Sequence, residues 1–264
     1  MAQTGYIFTD TQHIEERDRL QTIERVFDPA SRRRIATTGI TNQWRCLEVG
    51  AGAGSIAQWM AEQVGEHGKV VAIDVNTRFL TAVNAPNLEV HEADIRTFTS
   101  PEPFDLIHAR YVLIHNADFR VALTNMLTLL KPGGWLVLEE PDFSAARAIV
   151  GEVEICAAVD RVNQSILQLF ADRAMDGALG VKLPAILQSL GVELAIVEDE
   201  AHLCAGGAGV ATVMKLSTLQ LAEKYMATGK TTAPDIQAYC QFADDPQAWG
   251  IYYATIGAIG RKIV

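Results

Sequence analysis

Three glycines at alternate positions follow a short apolar run and form the part of the chain best suited to bind a ligand. The run Trp44–Val49 leads into Gly50, Gly52 and Gly54, and Ser55–Glu62 then has the composition of a helix. Glycine adopts positive φ at little cost and lets the backbone approach a ligand closely. The first turn of a helix leaves N–H groups free to donate. This order of strand, turn and helix predicts a site for a nucleotide-like molecule.

Acidic residues follow the predicted strands, at the edge where parallel sheets bind their ligands. Glu48 lies near the end of the first strand, Asp74 ends the apolar second strand, and Asp94 follows the third. A carboxylate accepts hydrogen bonds at both of its oxygens. These acids are therefore candidates to bind hydroxyl or amino groups of one ligand. The alternative for each is a structural acid that is paired or caps a loop.

A dinucleotide-binding fingerprint is one interpretation of the glycines. It requires the pattern G-x-G-x-x-G/A at the start of a helix, with an acid about 20 residues further on. Counted from Gly50, the sixth position is Ser55 and the pattern fails. Counted from Gly52, the sixth position is Ala57 and the pattern fits. The glycines alone therefore leave an NAD-dependent oxidoreductase open.

The wider set of motifs resembles another family. Asp74 ends the second strand, Asp94 and Ile95 form an Asp-Ile pair after the third, and Lys131–Gly134 spells Lys-Pro-Gly-Gly before the fifth. In order and spacing, between residues 45 and 142, these motifs resemble class I S-adenosylmethionine-dependent methyltransferases of the bacterial small-molecule type. The resemblance implies S-adenosyl-L-methionine as the cofactor and S-adenosyl-L-homocysteine as its product.

The resemblance also implies a role for each residue of the cofactor site. Glu48 would order the glycine loop or contact the amino end of the methionine moiety, and Asp74 would accept hydrogen bonds from both ribose hydroxyls. Asp94 would accept from the adenine amino group, and Ile95 would pack on the adenine ring. The full cofactor-binding set implied is Glu48, Gly50, Ala51, Gly52, Gly54, Asp74, Val75, Asn76, Asp94, Ile95, Ala109 and Arg110.

Two histidines are candidates for a catalytic base. Methyl transfer from a sulfonium mainly requires that nucleophile and methyl group be aligned, and an O–H or N–H acceptor can add the need for a base. The candidates are His108, which ends the fourth strand, and His115, which follows it. The alternative for both is a structural histidine. Arg110 would bind a carboxylate of the cofactor or of the fold. Glu140 or Asp142 would face the substrate, and the alternative for Asp142 is to cap a helix.

Strand and helix alternate from residue 45 onward, which predicts an α/β fold with a doubly wound, mostly parallel sheet. With the resemblance, the prediction is a Rossmann-like sheet of seven strands with an antiparallel last strand. Two helices are predicted ahead of it, separated at Asp28-Pro29. The chain is interpreted as one methyltransferase domain with four parts: a helical cap (1–40), a cofactor-binding core (41–142), a helical insertion or lid (143–180) and the C-terminal part of the sheet (181–264).

Composition limits the classes of partner. The net charge of −10 disfavours nucleic acid, whose phosphates need a basic face, and the run Arg32–Arg34 is interpreted as an exposed helix face. No stretch reaches the about 18 apolar residues of a membrane span. The four widely spaced cysteines predict free thiols, a cytoplasmic location and no metal site. A homodimer stays open.

The predicted function is therefore methyl transfer from S-adenosylmethionine to O or N, or else C, of a small metabolite in small-molecule or secondary metabolism. Apolar residues in the insertion and the later helices predict an apolar or aromatic acceptor. They are Ile149, Ile155, Ile166, Leu169, Phe170, Met175, Met214 and Leu221. Two alternatives stay open: an NAD-dependent oxidoreductase, and a non-catalytic S-adenosylmethionine-binding protein of the same fold.

Overall fold

The computed structural model describes residues 13–82 and 85–263. The chain divides into two compact units. Among the described residues, unit 1 contains 13–26, 141–181 and 199–255. Unit 2 contains residues 27–140, 182–198 and 256–264. Every residue of the predicted cofactor site belongs to unit 2.

Eight strands among the described residues form one mostly parallel sheet. They are β1 (Arg45–Val49), β2 (Lys69–Asp74), β3 (Leu88–Glu92), β4 (Phe104–Arg110), β5 (Leu130–Asp142), β6 (Arg147–Val150), β7 (Val192–Ala205) and β8 (Trp249–Lys262). Their order is β3-β2-β1-β4-β5-β8-β6, and β7 also pairs with β8. The pairs β1–β2, β1–β4, β2–β3 and β4–β5 are parallel. The doubly wound fold is confirmed, because the strand order reverses between β1 and β4.

Seven α-helices accompany these strands in the described part of the chain. They are α1 (His13–Ala36), α2 (Ser55–Val64), α3 (Phe119–Leu129), α4 (Val153–Ala171), α5 (Leu179–Ser189), α6 (Gly209–Ala227) and α7 (Ala233–Asp244). In unit 2, α2 packs its buried face on the sheet. In unit 1, α4 and α6 both pack against α7. The N-terminus of α7 is fixed by a capping box between Thr232 and Asp235.

The N-terminal helices and the insertion differ from the prediction. One helix, α1, continues through Pro29 where a break was predicted, because a proline removes only one N–H donor and the packed turns on either side can keep a helix going. The sequence predicts that the first helix starts at Asp10 or Thr11, and both positions lie outside the described residues. The predicted helical insertion begins with a short 3₁₀ helix (Phe143–Ala145), but Arg147–Val150 then form β6, which pairs antiparallel with β8. This short strand makes the sheet eight-stranded rather than seven-stranded.

The sequence Lys-Pro-Gly-Gly at residues 131–134 predicts a turn. In the structure these residues lie within β5 instead. The register between β4 and β5 shifts at this point: Phe104 pairs with Leu130, whereas Leu106 pairs with Trp135. Gly133 has φ of 72°. The turn-forming residues thus form an irregularity in the strand, as a bulge does.

Candidate cofactor site

The glycine loop after β1 has the backbone conformation that its sequence predicts. Gly50, Gly52 and Gly54 have φ of 69°, 59° and 96°, a region that side chains disfavour. A Cβ on Gly50 would lie 2.5 Å from Cγ2 of Val112. Ala51 is buried at the start of the loop, and its N–H donates to the carbonyl of Ile73. The loop therefore lies close to the backbone of β2 and to the segment after β4.

Asp74 connects this loop to the end of β2. Its Oδ2 accepts from the N–H of Gly52 and its Oδ1 from the N–H of Asn76, both at 3.0 Å. Val75 and Asn76 are exposed beside it. Each carboxylate oxygen has two lone pairs, so Asp74 can order the loop and still accept hydrogen bonds from a ligand.

Asp94 lies after β3 and is paired with Arg96. The guanidinium donates to both carboxylate oxygens at 2.6–3.1 Å, and these hydrogen bonds lower the pKa of Asp94. The neighbouring Ile95 is only 4% exposed, so little of its side chain can contact an adenine ring. Its carbonyl accepts from the side-chain amide of Asn125 at 2.6 Å, which attaches this loop to α3.

Glu48, His108 and Glu139 form a buried row across the centre of the sheet. Nδ1 of His108 lies 2.7 Å from Oε2 of Glu48, and Nε2 lies 3.0 Å from Oε1 of Glu139. Burial opposes the charged ring, but attraction to the two carboxylates raises the pKa of His108 to about 9. Burial raises the pKa of Glu48. The pKa of Glu139 falls to about 2 despite burial, because His108 and two arginines stabilise its charge.

Arg34 and Arg110 extend this row to the second half of α1. Arg34 donates to Glu139 at 2.7 Å and to Glu198 at 2.8 Å, and its side chain is 1% exposed. The exposed face predicted for Arg32–Arg34 is therefore wrong for Arg34. Arg110 donates to Asp28 at 3.1 Å, which favours the prediction of a partner within the fold over a cofactor carboxylate. Sequence reasoning missed Arg34 and Glu139, because a buried ion pair leaves no periodic signal in a sequence.

The segment after β4 is held by Glu140. The carboxylate of this fully buried residue accepts from the N–H groups of Val112, Leu113 and Ile114 at 2.7–3.0 Å. Tyr111 precedes them with φ of 57°, a conformation that is unusual for an aromatic residue and frequent at functional sites. The half-buried His115 ends the following 3₁₀ helix. Glu140 thus fixes the segment that carries one catalytic candidate.

The two histidine candidates lie in different surroundings. His108 is 0% exposed and uses both ring nitrogens, which favours the structural alternative over a catalytic base. His115 is half-buried. Ala109, between the two, is buried within β4, so its side chain offers no surface to a ligand.

Unit 1 contains the remaining candidates. Asp142 caps the 3₁₀ helix Phe143–Ala145 by accepting from the N–H and hydroxyl of Ser144, as the capping alternative predicts. His202 Nε2 lies 2.8 Å from Oγ1 of Thr255. Most of the apolar residues predicted to line a pocket are buried in the core, namely Ile166, Leu169, Phe170, Met175, Met214 and Leu221.

The described residues contain no group of three or more histidine, cysteine or acidic side chains able to hold a metal ion. No helix in the same part of the chain is long and apolar enough to cross a membrane.

A doubly wound sheet with a glycine loop between β1 and α2, and with acids at the end of β2 and after β3, is the arrangement found in class I S-adenosylmethionine-dependent methyltransferases. The chain belongs to a methyltransferase-domain family, whose model matches residues 12–174. S-adenosylmethionine is the cofactor of this class.

Relatives agree with this class. The chain is 30% identical to methyltransferase str3 of Strobilurus tenacellus over 145 residues, which cover 54% of this chain and 50% of that protein. It is 31% identical to the ubiquinone/menaquinone biosynthesis C-methyltransferase UbiE of Francisella philomiragia over 115 residues, covering 40% and 46%. The chain thus spans about half the length of the curated relatives it matches.

A solved structure shows the same fold at low sequence identity. It is phosphoethanolamine N-methyltransferase 2 of Haemonchus contortus, in complex with phosphomonomethylethanolamine and S-adenosylhomocysteine. The TM-score is 0.57 at 15% identity, over 93% of this chain and 57% of the other.

Proposed function

We propose that the protein transfers the methyl group of S-adenosylmethionine to a small molecule. The observation that carries this proposal is the hydrogen bond from the N–H of Gly52 to Asp74. It joins a loop of positive-φ glycines to an acid at the end of the neighbouring strand. In that arrangement one carboxylate can order the loop and also accept hydrogen bonds from the ribose hydroxyls, as the class requires.

The other acids of unit 2 complete the proposed cofactor site. Glu48 takes the ammonium group of the methionine moiety, and Asp94 takes the adenine amino group. Asp74 lies between them along the sheet edge, because β1 and β2 are neighbours and β3 follows. In this assignment the chain supplies hydrogen-bond acceptors for both ends of the cofactor. The sulfonium requires no charged partner, since its charge disperses as the methyl group departs.

For the acceptor we propose a small apolar or aromatic metabolite, methylated on O, N or C. The activated methyl group makes alignment the main task of the protein. An O–H or N–H acceptor needs a proton acceptor as well, and His115 is the proposed base, because Glu140 fixes the segment that carries it. The insertion at residues 143–180 is proposed to contribute to acceptor binding. A cytoplasmic location and a homodimer stay predictions.

Calorimetric titration with S-adenosylhomocysteine and with NADH tests the cofactor. We expect binding of S-adenosylhomocysteine in the micromolar range and none of NADH, and the reverse result would overturn the proposal in favour of an oxidoreductase.

Turnover with labelled S-adenosylmethionine and a panel of phenols, amines and quinols then tests the transfer. Label appearing in an acceptor supports the proposal. Cofactor binding with no transfer to any acceptor in the panel would favour the non-catalytic alternative.

A further inference from the structure

We propose that Arg96 is a specificity-determining residue for the cofactor. Its guanidinium donates a hydrogen bond to N1 of the adenine ring, while the carboxylate of Asp94 accepts from the adenine amino group. This inference rests on the proposed function, in which Asp94 takes that amino group. It adds a second contact to adenine, made by a side chain outside the cofactor-binding set that the resemblance implies.

The carboxylate of Asp94 and the guanidinium of Arg96 are joined at both carboxylate oxygens. Nη2 of Arg96 lies 2.6 Å from Oδ2, and Nε lies 3.0 Å from Oδ2 and 3.1 Å from Oδ1. The main-chain N–H of Arg96 also donates to Oδ1, at 2.8 Å. These hydrogen bonds fix the two side chains relative to each other, with a carboxylate oxygen beside a guanidinium nitrogen.

Each member of this pair keeps hydrogen-bonding capacity that the other does not use. Nε and Nη2 belong to one guanidinium, so they approach Oδ2 from the same side and leave its outer lone pair available. Among the described residues, no carboxylate other than Asp94 accepts from Arg96, and Asp118 attracts it through charge alone. Nη1 and the outer N–H of Nη2 can therefore donate to a ligand.

The acceptor and donor of the pair are complementary to one edge of adenine. The amino group of adenine is a donor, N1 is an acceptor, and both are bonded to the same ring carbon. The separation of 2.6 Å between Oδ2 and Nη2 suits these two neighbouring atoms. The amino group and N7 are one carbon further apart, so the geometry favours N1 over N7.

The pair is accessible and its loop is fixed. The side chains of Asp94 and Arg96 are 28% and 24% exposed. Asn125 from α3 donates to the carbonyls of Ile95 and Phe98 at 2.6 and 2.8 Å. A pair held in this way loses little freedom when a ligand binds. Because Ile95 is buried, the loop presents hydrogen-bonding groups for the edge of adenine rather than an apolar surface for its face.

The experiment is titration calorimetry with S-adenosylhomocysteine and two of its analogues. The 1-deaza analogue has C–H in place of N1, and the 7-deaza analogue has C–H in place of N7. Each is titrated into the wild type, Arg96→Met and Arg120→Met. Arg120 is exposed on α3, where its guanidinium lies over the ring of Phe119, so Arg120→Met removes the same charge and serves as the matched control.

We expect the wild type and Arg120→Met to bind S-adenosylhomocysteine roughly tenfold more tightly than the 1-deaza analogue, because one hydrogen bond to a charged donor is lost. They should bind the 7-deaza analogue as tightly as S-adenosylhomocysteine. In Arg96→Met the preference for N1 should disappear. A weaker Asp94 contact alone would lower the affinity for all three ligands together and would leave that preference unchanged.

Two results would overturn the inference while leaving the proposed function intact. One is equal affinity of the wild type for S-adenosylhomocysteine and the 1-deaza analogue. The other is an N1 preference that persists in Arg96→Met, which would mean that a main-chain N–H contacts N1. Absence of S-adenosylhomocysteine binding in the wild type would overturn both proposals.

A crystal structure of the wild type with S-adenosylhomocysteine tests the contact without a variant. N1 of adenine within hydrogen-bond distance of a guanidinium nitrogen of Arg96 would support the inference. Any other partner for N1 would overturn it, even if Arg96→Met binds too weakly to measure.

Discussion

Replacing Asp74 should weaken cofactor binding while leaving the fold intact. Asp74→Ala removes the acceptor for the Gly52 and Asn76 N–H groups and the proposed ribose contact. Hydrogen bonds to a charged group contribute about 1.5–3 kcal/mol each, so we expect S-adenosylhomocysteine affinity to fall roughly 10- to 100-fold.

Calorimetry measures that affinity, and circular dichroism checks the fold. Glu62→Ala, at an exposed position of α2, removes the same charge and should bind normally. Unchanged affinity in Asp74→Ala would remove Asp74 from the site.

The buried row of Glu48, His108 and Glu139 should make stability depend on pH in both directions. The pKa of His108 rises from 6.5 to about 9, so its contribution is complete below pH 6.5 and is lost as pH rises through 9. The pKa of Glu139 falls from 4.5 to about 2, so its contribution is present above pH 4.5 and is lost as pH falls toward 2. The contributions of His108 and Glu139 should therefore both be complete only between pH 4.5 and 6.5.

Urea unfolding from pH 3 to 10 measures this dependence. In His108→Gln the alkaline decrease should become shallower, whereas His67→Gln should match the wild type. An alkaline decrease of the same size in His108→Gln would show that the raised pKa of His108 does not cause it.

Glu140 should affect both stability and turnover, because its carboxylate fixes the segment after β4 that carries His115. Glu140→Gln keeps the shape but replaces one acceptor oxygen by an NH₂ donor, which faces backbone N–H groups that also donate. An unsatisfied buried donor costs about 1–3 kcal/mol, so we expect the free energy of unfolding to fall by that amount. We also expect turnover to fall more than cofactor affinity, because His115 lies in this segment.

Thermal unfolding and steady-state kinetics are the measurements for Glu140→Gln. Glu66→Gln is the matched control, since its side chain is 85% exposed. Normal stability and normal turnover in Glu140→Gln would show that the segment does not depend on these hydrogen bonds.

The parts of the site that could be predicted from the sequence are those that depend on local backbone conformation. Gly50, Gly52 and Gly54 have the positive φ that their spacing predicts, and Asp74 lies at the end of its strand. Arg34 and Glu139 could not be predicted in this way. Whether a charged residue is buried depends on a partner far away in sequence, here 105 residues.

At the scale of elements, the strands that could be predicted from the sequence are those that are buried on both faces of the sheet. β1 and β2 have the predicted ends, because continuous apolar runs between turn residues favour parallel strands. Residues 147–150 were predicted as helix, since their apolar spacing fits a helix as well as a strand. Their pairing with β8 decides the conformation, and this contact is not encoded locally.

The packing of α1 on β8 depends on one glycine. A Cβ on Gly257 would lie 2.5 Å from Nε and 3.0 Å from Cδ of Arg34. Gly257→Ala must therefore displace a buried arginine that pairs with Glu139 and Glu198. Overpacking and the loss of a buried ion pair together should lower the free energy of unfolding by about 2–4 kcal/mol.

A double-mutant cycle tests whether the clash with Arg34 causes the loss of stability in Gly257→Ala. If the clash with Arg34 is responsible, Gly257→Ala combined with Arg34→Met should cost less than the sum of the two single substitutions. Additive costs would mean that the new methyl group acts elsewhere in the core.

At the scale of the whole molecule, the residues proposed for the cofactor site all belong to unit 2. Ligand that binds only the native state stabilises it in proportion to its occupancy. S-adenosylhomocysteine should therefore slow amide exchange first in the segments proposed to form its site, namely residues 48–54, 74–76, 94–95 and 109–115.

Hydrogen exchange with mass spectrometry measures this pattern segment by segment. At about 100 times the dissociation constant, exchange through openings that release the ligand should slow about 100-fold. Asp74→Ala at the same concentration should show much less protection, and α4 and α7 of unit 1 should change less than the glycine loop. If protection were instead strongest in α4 and α7, the cofactor would bind unit 1 and the assignment of the glycine loop would be wrong.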